Sequence, residues 1–319
     1  MKILQKDLNL VDDYKTLNMD FVKVGDYLIF DIFMKSKGGY LILIEDGTVL
    51  TSTLMQKLQR QNALYIAKKD QYKQELNPHS LKYHVRYYQE DYIKILDFLY
   101  TINEEIFSNF LNSDDNIIKV EDVTQLIKAI IYLIHDNNRY LKNIMPSFKN
   151  SNELADHSLH VAIYAVNLGN ALHFTTNKLL RLGISALLHD VGIKKINSDI
   201  IDKEEELSLA ELEKIHLHSQ YSVEIMKHNQ ILDPYIIDAV IHHHESNDGS
   251  GYPHHLKEEE ISNCASILAI VDVFDALTNN RPQRKAYNSF NALKLMMKDE
   301  KMAPKFNTAF VQLFLHTLE

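Results

Sequence analysis

His242-His-His-Glu-Ser-Asn-Asp-Gly-Ser-Gly-Tyr-Pro253 places the adjacent histidines His243 and His244 just ahead of a glycine-rich turn. Imidazoles beside a carboxylate suit a divalent metal ion. The turn through Gly251, Tyr252 and Pro253 lets backbone approach a ligand closely and holds one ring where a nucleobase or sugar can rest. The histidines arrive on a helix, because Asp233-Pro234 reads as an N-cap followed by a first-turn proline. Taken alone, a His-rich tract is often incidental and a Gly/Pro cluster usually marks a surface turn. The stretch gains its meaning from the helices on either side of it.

Upstream, His189-Asp190 closes an apolar helical run from Leu179 to Leu188, and Gly192 follows as a helix stop. Consecutive residues point about 100° apart on a helix, so the pair can serve neighbouring metals, or one metal from two sides. The chain holds its own control in His135-Asp136, the same dipeptide within 130–140 with nothing around it to complete a site. Glu153 and His157 lie four apart on a helical segment and share a face. His218 follows a capping-box pattern, Ser208-Leu-Ala-Glu211, and is preferred over His216, which faces elsewhere. Asp272 interrupts the apolar stretch Ile267–Val271, where a charge is costly unless paired or metal-bound. Each residue alone has an ordinary explanation as a surface contact or a satisfied helix histidine; their succession along consecutive helices does not.

In order and content, the strings ELADHSLHVA, ALLHDVGIKKI, HHESNDGSGYP and ILAIVDVFDALTNNRPQRKAY resemble the HD-GYP family of cyclic-dinucleotide phosphodiesterases. This family is a branch of the HD metal-dependent phosphohydrolases, and the resemblance runs from about Val120 to the C-terminus. It implies an all-helical bundle with Glu153, His157, His189, Asp190, His218, His243, His244 and Asp272 as metal ligands. It further implies Arg281 and Arg284 at substrate phosphate and Tyr252 beside the substrate, with Glu153 and His157 together marking a branch able to carry three metals rather than two. Departures are also present. Ile193 stands where the family has a lysine, with Lys194 and Lys195 directly after it. Ser219 and Ser222 replace a family proline and glycine, and Gln283 replaces an aromatic residue.

The expected chemistry is metal-dependent hydrolysis of the phosphodiester bonds of cyclic di-GMP to linear pGpG, and to GMP after a second cut. Two or three divalent ions would act, Fe or Mn by the mixed His and carboxylate set, with Zn compatible. Asp190 is placed to bridge two of them, and a hydroxide held between the metals is the nucleophile. The arginines would hold phosphate with charge-assisted bonds. Two alternatives stand beside this. One is a degenerate module that binds a cyclic dinucleotide and signals through protein partners, for which Ile193 speaks; the other is a hydrolase of another nucleotide.

The chain has 319 residues, 45% of them apolar, enough for about two domains. A net charge of −9 argues against a non-specific nucleic-acid binder, though a few local cations still serve a small anionic substrate. The single cysteine, the lack of a signal-peptide pattern and the lack of a long apolar run give the expectation of a cytoplasmic protein outside the membrane. The expected fold is multidomain α+β. A small β-rich regulatory domain spans 1–75, with strands over Asp26–Met34, Tyr40–Ile44 and Ala63–Ala67 and a helix over Thr51–Gln61. A helical linker follows over 76–119, and an all-α HD-type bundle over 120–319. A homodimer or a signalling partner would act through the N-terminal domain.

Overall fold

The computed structural model describes residues 13–19, 22, 24, 28, 30–37, 39–45, 48–68, 92–136, 140–149, 153–201, 203, 205–280 and 284–318. The chain divides into two compact units, Met1–Gln89 and Glu90–Glu319. Among the described residues, no helix is long and apolar enough to cross a membrane.

Among its described residues, the first unit holds four antiparallel strands, β1 (Tyr14–Thr16), β2 (Ile32–Ser36), β3 (Gly39–Ile44) and β4 (Tyr65–Ala67), in the order β1-β4-β2-β3. β2 and β3 form the expected hairpin, paired up to Ser36 and Gly39. Part of the strand expected over Asp26–Met34 falls outside the described residues; the described strand starts at Ile32. Helix α1 (Ser52–Gln59) starts where Thr51 accepts the Leu54 N–H on its side chain. Ile32, Leu50, Leu58 and Ile66 form the centre of this unit's core.

The second unit is helical. Helix α2 (Tyr92–Leu111), expected as a linker, packs with α3 (Val120–Asp136), α4 (Tyr140–Ile144) and α5 (Leu154–Ala171). Next come α6 (Thr176–Leu188), a 3₁₀ turn (Val191–Lys195), α7 (Ser198–Ile201), α8 (Leu209–His216), α9 (His218–His228) and α10 (Pro234–Ile241). After the 242–253 stretch, α11 (Asn263–Thr278), α12 (Ser289–Lys298) and α13 (Thr308–Leu318) close the unit. α5 and α11 are buried on nearly every face and pack on each other, the position an all-round apolar helix takes. Their few polar residues therefore lie inside the protein, among them Asp156, His160, Asp272 and Asp275.

Local signals set the helix starts around this core. Ser208 and Glu211 make the capping box at α8 in both directions. Asp233 caps α10 ahead of Pro234 and also accepts Arg181 Nε at 2.8 Å. Gly192 does not act as a plain helix stop. It lies within the 3₁₀ turn, and a Cβ there would sit 2.0 Å from the His218 carbonyl oxygen and 2.4 Å from Ser222 N. The turn after His189-Asp190 is thereby pressed onto the first turn of α9, and the Gly192 N–H donates to Ser222 Oγ at 2.8 Å.

Candidate metal centre

Seven of the eight expected ligands come together between α5, α6, α9, α10 and α11, in two groups whose ligand atoms all lie within 4.8 Å of one another. One group is His157, His189 and Asp272; the other is Asp190, His218, His243 and His244. Asp190 faces both. Its Oδ1 lies 3.2 Å from His218 Nε2 and 3.5 Å from His243 Nε2, and its Oδ2 lies 3.5 Å from His189 Nε2 and 3.9 Å from His157 Nε2. Asp272 Oδ1 is 3.2 Å from His157 Nε2 and 4.0 Å from His189 Nε2, and its Oδ2 is 3.9 Å from His244 Nδ1.

Three of the imidazoles are set by the same backbone contact. His189, His218 and His243 each donate Nδ1–H to the carbonyl three residues earlier, on Ala186, Ile215 and Val240, at 2.6–2.8 Å. Each sits at a helix end, where such carbonyls lack an intrahelical partner. In a neutral ring the other nitrogen, Nε2, is then a lone pair. Three lone pairs thus face carboxylate oxygens, with His218 and His243 Nε2 only 3.3 Å apart. His189 Nε2 and Asp190 Oδ1 are buried with no donor to meet them among the described residues. Acceptors crowded on acceptors repel unless cations or protons lie between them. The residues present therefore fit divalent ions of the kind mixed imidazole–carboxylate sets bind.

The fourth histidine is held differently. His157 Nδ1 lies 2.8 Å from Asp275 Oδ2, a carboxylate–histidine pair that orients a ligating imidazole. Burial pulls the His157 imidazole down, but Asp272 and Asp275 outweigh it and push its pKa up to about 10. Burial lowers His189 to about 4 and His244 well below its ordinary value. Burial would raise Asp190 and Asp272, yet the surrounding imidazoles hold both well below the usual carboxylate range.

Among the described residues, the other expected residues join neither group. Glu153 is the exposed N-cap of α5 rather than a helical residue one turn before His157, and it joins neither group. His135 is exposed at the end of α3, as an incidental pair would be. Gly251 does make a close approach, but to its own chain: a Cβ there would lie 2.4 Å from Glu245 Cα and Ser246 N. The half-buried Tyr252 ring stacks on His216 at 3.8 Å and is tilted against His244 at 4.8 Å, beside the second group. The Arg284 guanidinium, expected at phosphate, donates to Leu277 O, Ala276 O and Lys285 O at 2.6–2.9 Å. Arg281 and Gln283 lie outside the described residues.

Neither lysine after Ile193 takes the place of the family lysine. Lys194 Nζ donates to Phe110 O and Ser113 O at the end of α2, and Lys195 Nζ pairs with Glu224 at 2.8 Å. Three residues that sequence reasoning passed over also shape the centre. They are Asp275, His160 beside it, and Glu245, whose buried carboxylate accepts the N–H groups of His254 and Leu256 and so closes the 245–256 turn.

The HD domain family matches residues 137–305. A cyclic di-GMP phosphodiesterase of Pseudomonas aeruginosa is 31% identical over 157 residues, 49% of this chain and 38% of that protein. The 3'3'-cGAMP-specific phosphodiesterase 3 of Vibrio cholerae is 33% identical over 167 residues, 50% of this chain and 36% of that protein. The chain thus spans under half the length of these relatives. A solved HDG"Y"P protein of Bdellovibrio bacteriovorus shares the fold at 18% identity, with a TM-score of 0.59 over 96% of this chain and 99% of that one. The HD domain match covers more than half of the chain and holds both the 189–190 pair and the 242–253 stretch, so the chain belongs to the HD domain family.

Proposed function

We propose that this chain hydrolyses a phosphodiester bond of a cyclic dinucleotide, using two divalent ions, Fe or Mn. The observation that carries the reading is the shared orientation of His189, His218 and His243, whose backbone-held Nδ1 atoms turn three Nε2 lone pairs toward Asp190 and Asp272. His157, His189 and Asp272 would hold one ion and His218, His243 and His244 the other, with one Asp190 oxygen for each. Bound there, paired divalent ions supply Lewis acidity and make water nucleophilic near neutral pH. Asp275 keeps the His157 lone pair inward, and Glu245 holds the turn that sets Tyr252 over His216. Glu153, exposed at its cap and outside both groups, gives no support to a third ion. Arg281 keeps the phosphate role expected of it; Arg284 would serve only after releasing the end of α11.

The named relatives act on two different dinucleotides, so cyclic di-GMP and 3'3'-cGAMP are both candidate substrates. A second reading is a binding module without turnover. It is favoured by Ile193 together with the engagement of Lys194 at Phe110 and Ser113, which leaves this turn without a lysine at the centre. Anaerobic purification with Fe or Mn, elemental analysis and chromatography of both dinucleotides separate the readings. Linear product that disappears with EDTA and in Asp190→Ala supports hydrolysis. Tight dinucleotide binding by loaded protein without product supports the second reading, and neither binding nor product overturns both.

A further inference from the structure

His157 is the inner end of a buried hydrogen-bond chain that runs outward to α2. Asp275 takes His157 Nδ1 on Oδ2 at 2.8 Å and faces His160 Nδ1 with Oδ1 at 3.1 Å. His160 Nε2 meets the Tyr100 hydroxyl, whose oxygen accepts the Lys149 backbone N–H at 2.9 Å. Asp275, His160 and Tyr100 are all buried, and Phe148 lies flat on the His160 ring at 4.4 Å.

One arrangement of protons satisfies every link with neutral His160. An ionised Asp275 only accepts, so His160 Nδ1 carries the hydrogen and its Nε2 is a lone pair. The Tyr100 hydroxyl must then donate to that lone pair, which leaves its own oxygen free to accept from Lys149 N–H. On the far side, Asp275 takes the Nδ1–H of His157 and leaves Nε2 facing Asp272 at 3.2 Å.

We propose that Tyr100 and His160 are positioning residues for the metal centre. Asp275 sets the tautomer of His160, the Tyr100 hydroxyl holds that ring in place by donating to its Nε2, and Asp275, steadied by His160, fixes which nitrogen of His157 faces an ion. The inference rests on the reading above that His157 holds a metal. It gives α2, the first described helix after the N-terminal unit in sequence, a side-chain connection to the centre. Withdrawal of Tyr100 would leave His160 Nε2 a buried acceptor without its donor, let the ring swing off Asp275 and so loosen the ion.

The test is Mn²⁺ affinity of the full chain by chelator competition, with thermal midpoints in EDTA as a folding control. Asp275→Asn is expected to weaken binding about 10- to 100-fold, the usual effect of removing a direct orienting partner. Tyr100→Phe, one link further out, is expected to weaken it by roughly three- to tenfold. In a His160→Gln background, whose amide donates to Asp275 without needing Tyr100, Tyr100→Phe should add nothing. An unaffected Asp275→Asn overturns the reading that His157 is a ligand. A weakened Asp275→Asn with an unchanged Tyr100→Phe overturns this inference alone, as does an equal loss in both His160 backgrounds. Should Tyr100→Phe misfold, side-chain ¹⁵N shifts of wild-type His160 decide: an Nδ1–H tautomer is expected, and an Nε2–H tautomer overturns the proposal.

Discussion

Gly192→Ala should damage one half of the metal centre more than the other. A Cβ at position 192 would lie 2.0 Å from the His218 carbonyl oxygen, 2.4 Å from Ser222 N and 2.8 Å from Ser222 Oγ. A carbon meets an oxygen comfortably at about 3.3 Å, so the turn and the start of α9 must separate by on the order of 1.3 Å. Two of the three obstructing atoms are backbone, so no rotamer relieves the clash. A shift of that size exceeds the roughly 0.5 Å within which a site must be held, and it carries His218 away from Asp190, now 3.2 Å off. Overpacking of this kind costs about 1–3 kcal/mol, or roughly 2–12 °C in midpoint for a unit of this size. The assay is thermal unfolding with and without Mn²⁺, together with metal stoichiometry. The midpoint should fall and the ion at the His218 group should be lost first. An unchanged midpoint with full metal content would refute the reasoning.

Other expectations concern charge and the closing turn. In the ion-free protein His157 titrates at about 10 and His189 at about 4, against an unfolded value of about 6.5. The folded chain therefore holds extra protons at His157 between about 6.5 and 10, so stability declines as pH rises through that window. At His189 it holds fewer between about 4 and 6.5, so stability also declines on acidification. Urea midpoints in EDTA should peak near pH 6.5, and saturating Mn²⁺ should remove the alkaline decline; a flat alkaline limb without metal would contradict this. Arg284→Ala strips donors from the end of α11 and should cost about 1 kcal/mol while KM moves less than about twofold. A raised KM with an intact midpoint would return Arg284 to the phosphate. Glu245→Ala leaves the His254 and Leu256 N–H groups unpaired and should lower stability by about 1–3 kcal/mol, checked by chemical denaturation. Ile193→Lys, which restores the family cation, should raise kcat about tenfold or more in a steady-state assay; no gain would show that the metals suffice.

Five of the seven clustered residues sit in a short string with a physical signature, a charge in an apolar run or a dipeptide at a helix end, whereas His157 is picked out by helical spacing and His218 by a nearby capping box. Asp275 and His160 had a signal that went unused. Each follows an expected ligand by three residues on a helix, Asp272 and His157, so the pairs share a face. Glu153 caps the helix in extended conformation, so helical phase read back from His157 does not set the direction of its side chain. Partners far apart in sequence were beyond local reading. Lys194 finds its carbonyls 81 and 84 positions away, and nothing between Tyr252 and His216 announces that they stack. The small sheet shows the same division. The β2–β3 hairpin is a neighbour contact and was expected, whereas the pairing of β4 with both β1 and β2 depends on distant segments meeting.

The carbonyl contacts of His189, His218 and His243 have a consequence for how metal enters and leaves. Their ring orientation comes from backbone carbonyls at helix ends rather than from one another. Small domains that fold only around zinc lose shape and charge together when the ion is stripped. Here chelation would remove charge and leave the mould standing. Reloading then becomes a matter of ion desolvation and access, not of refolding.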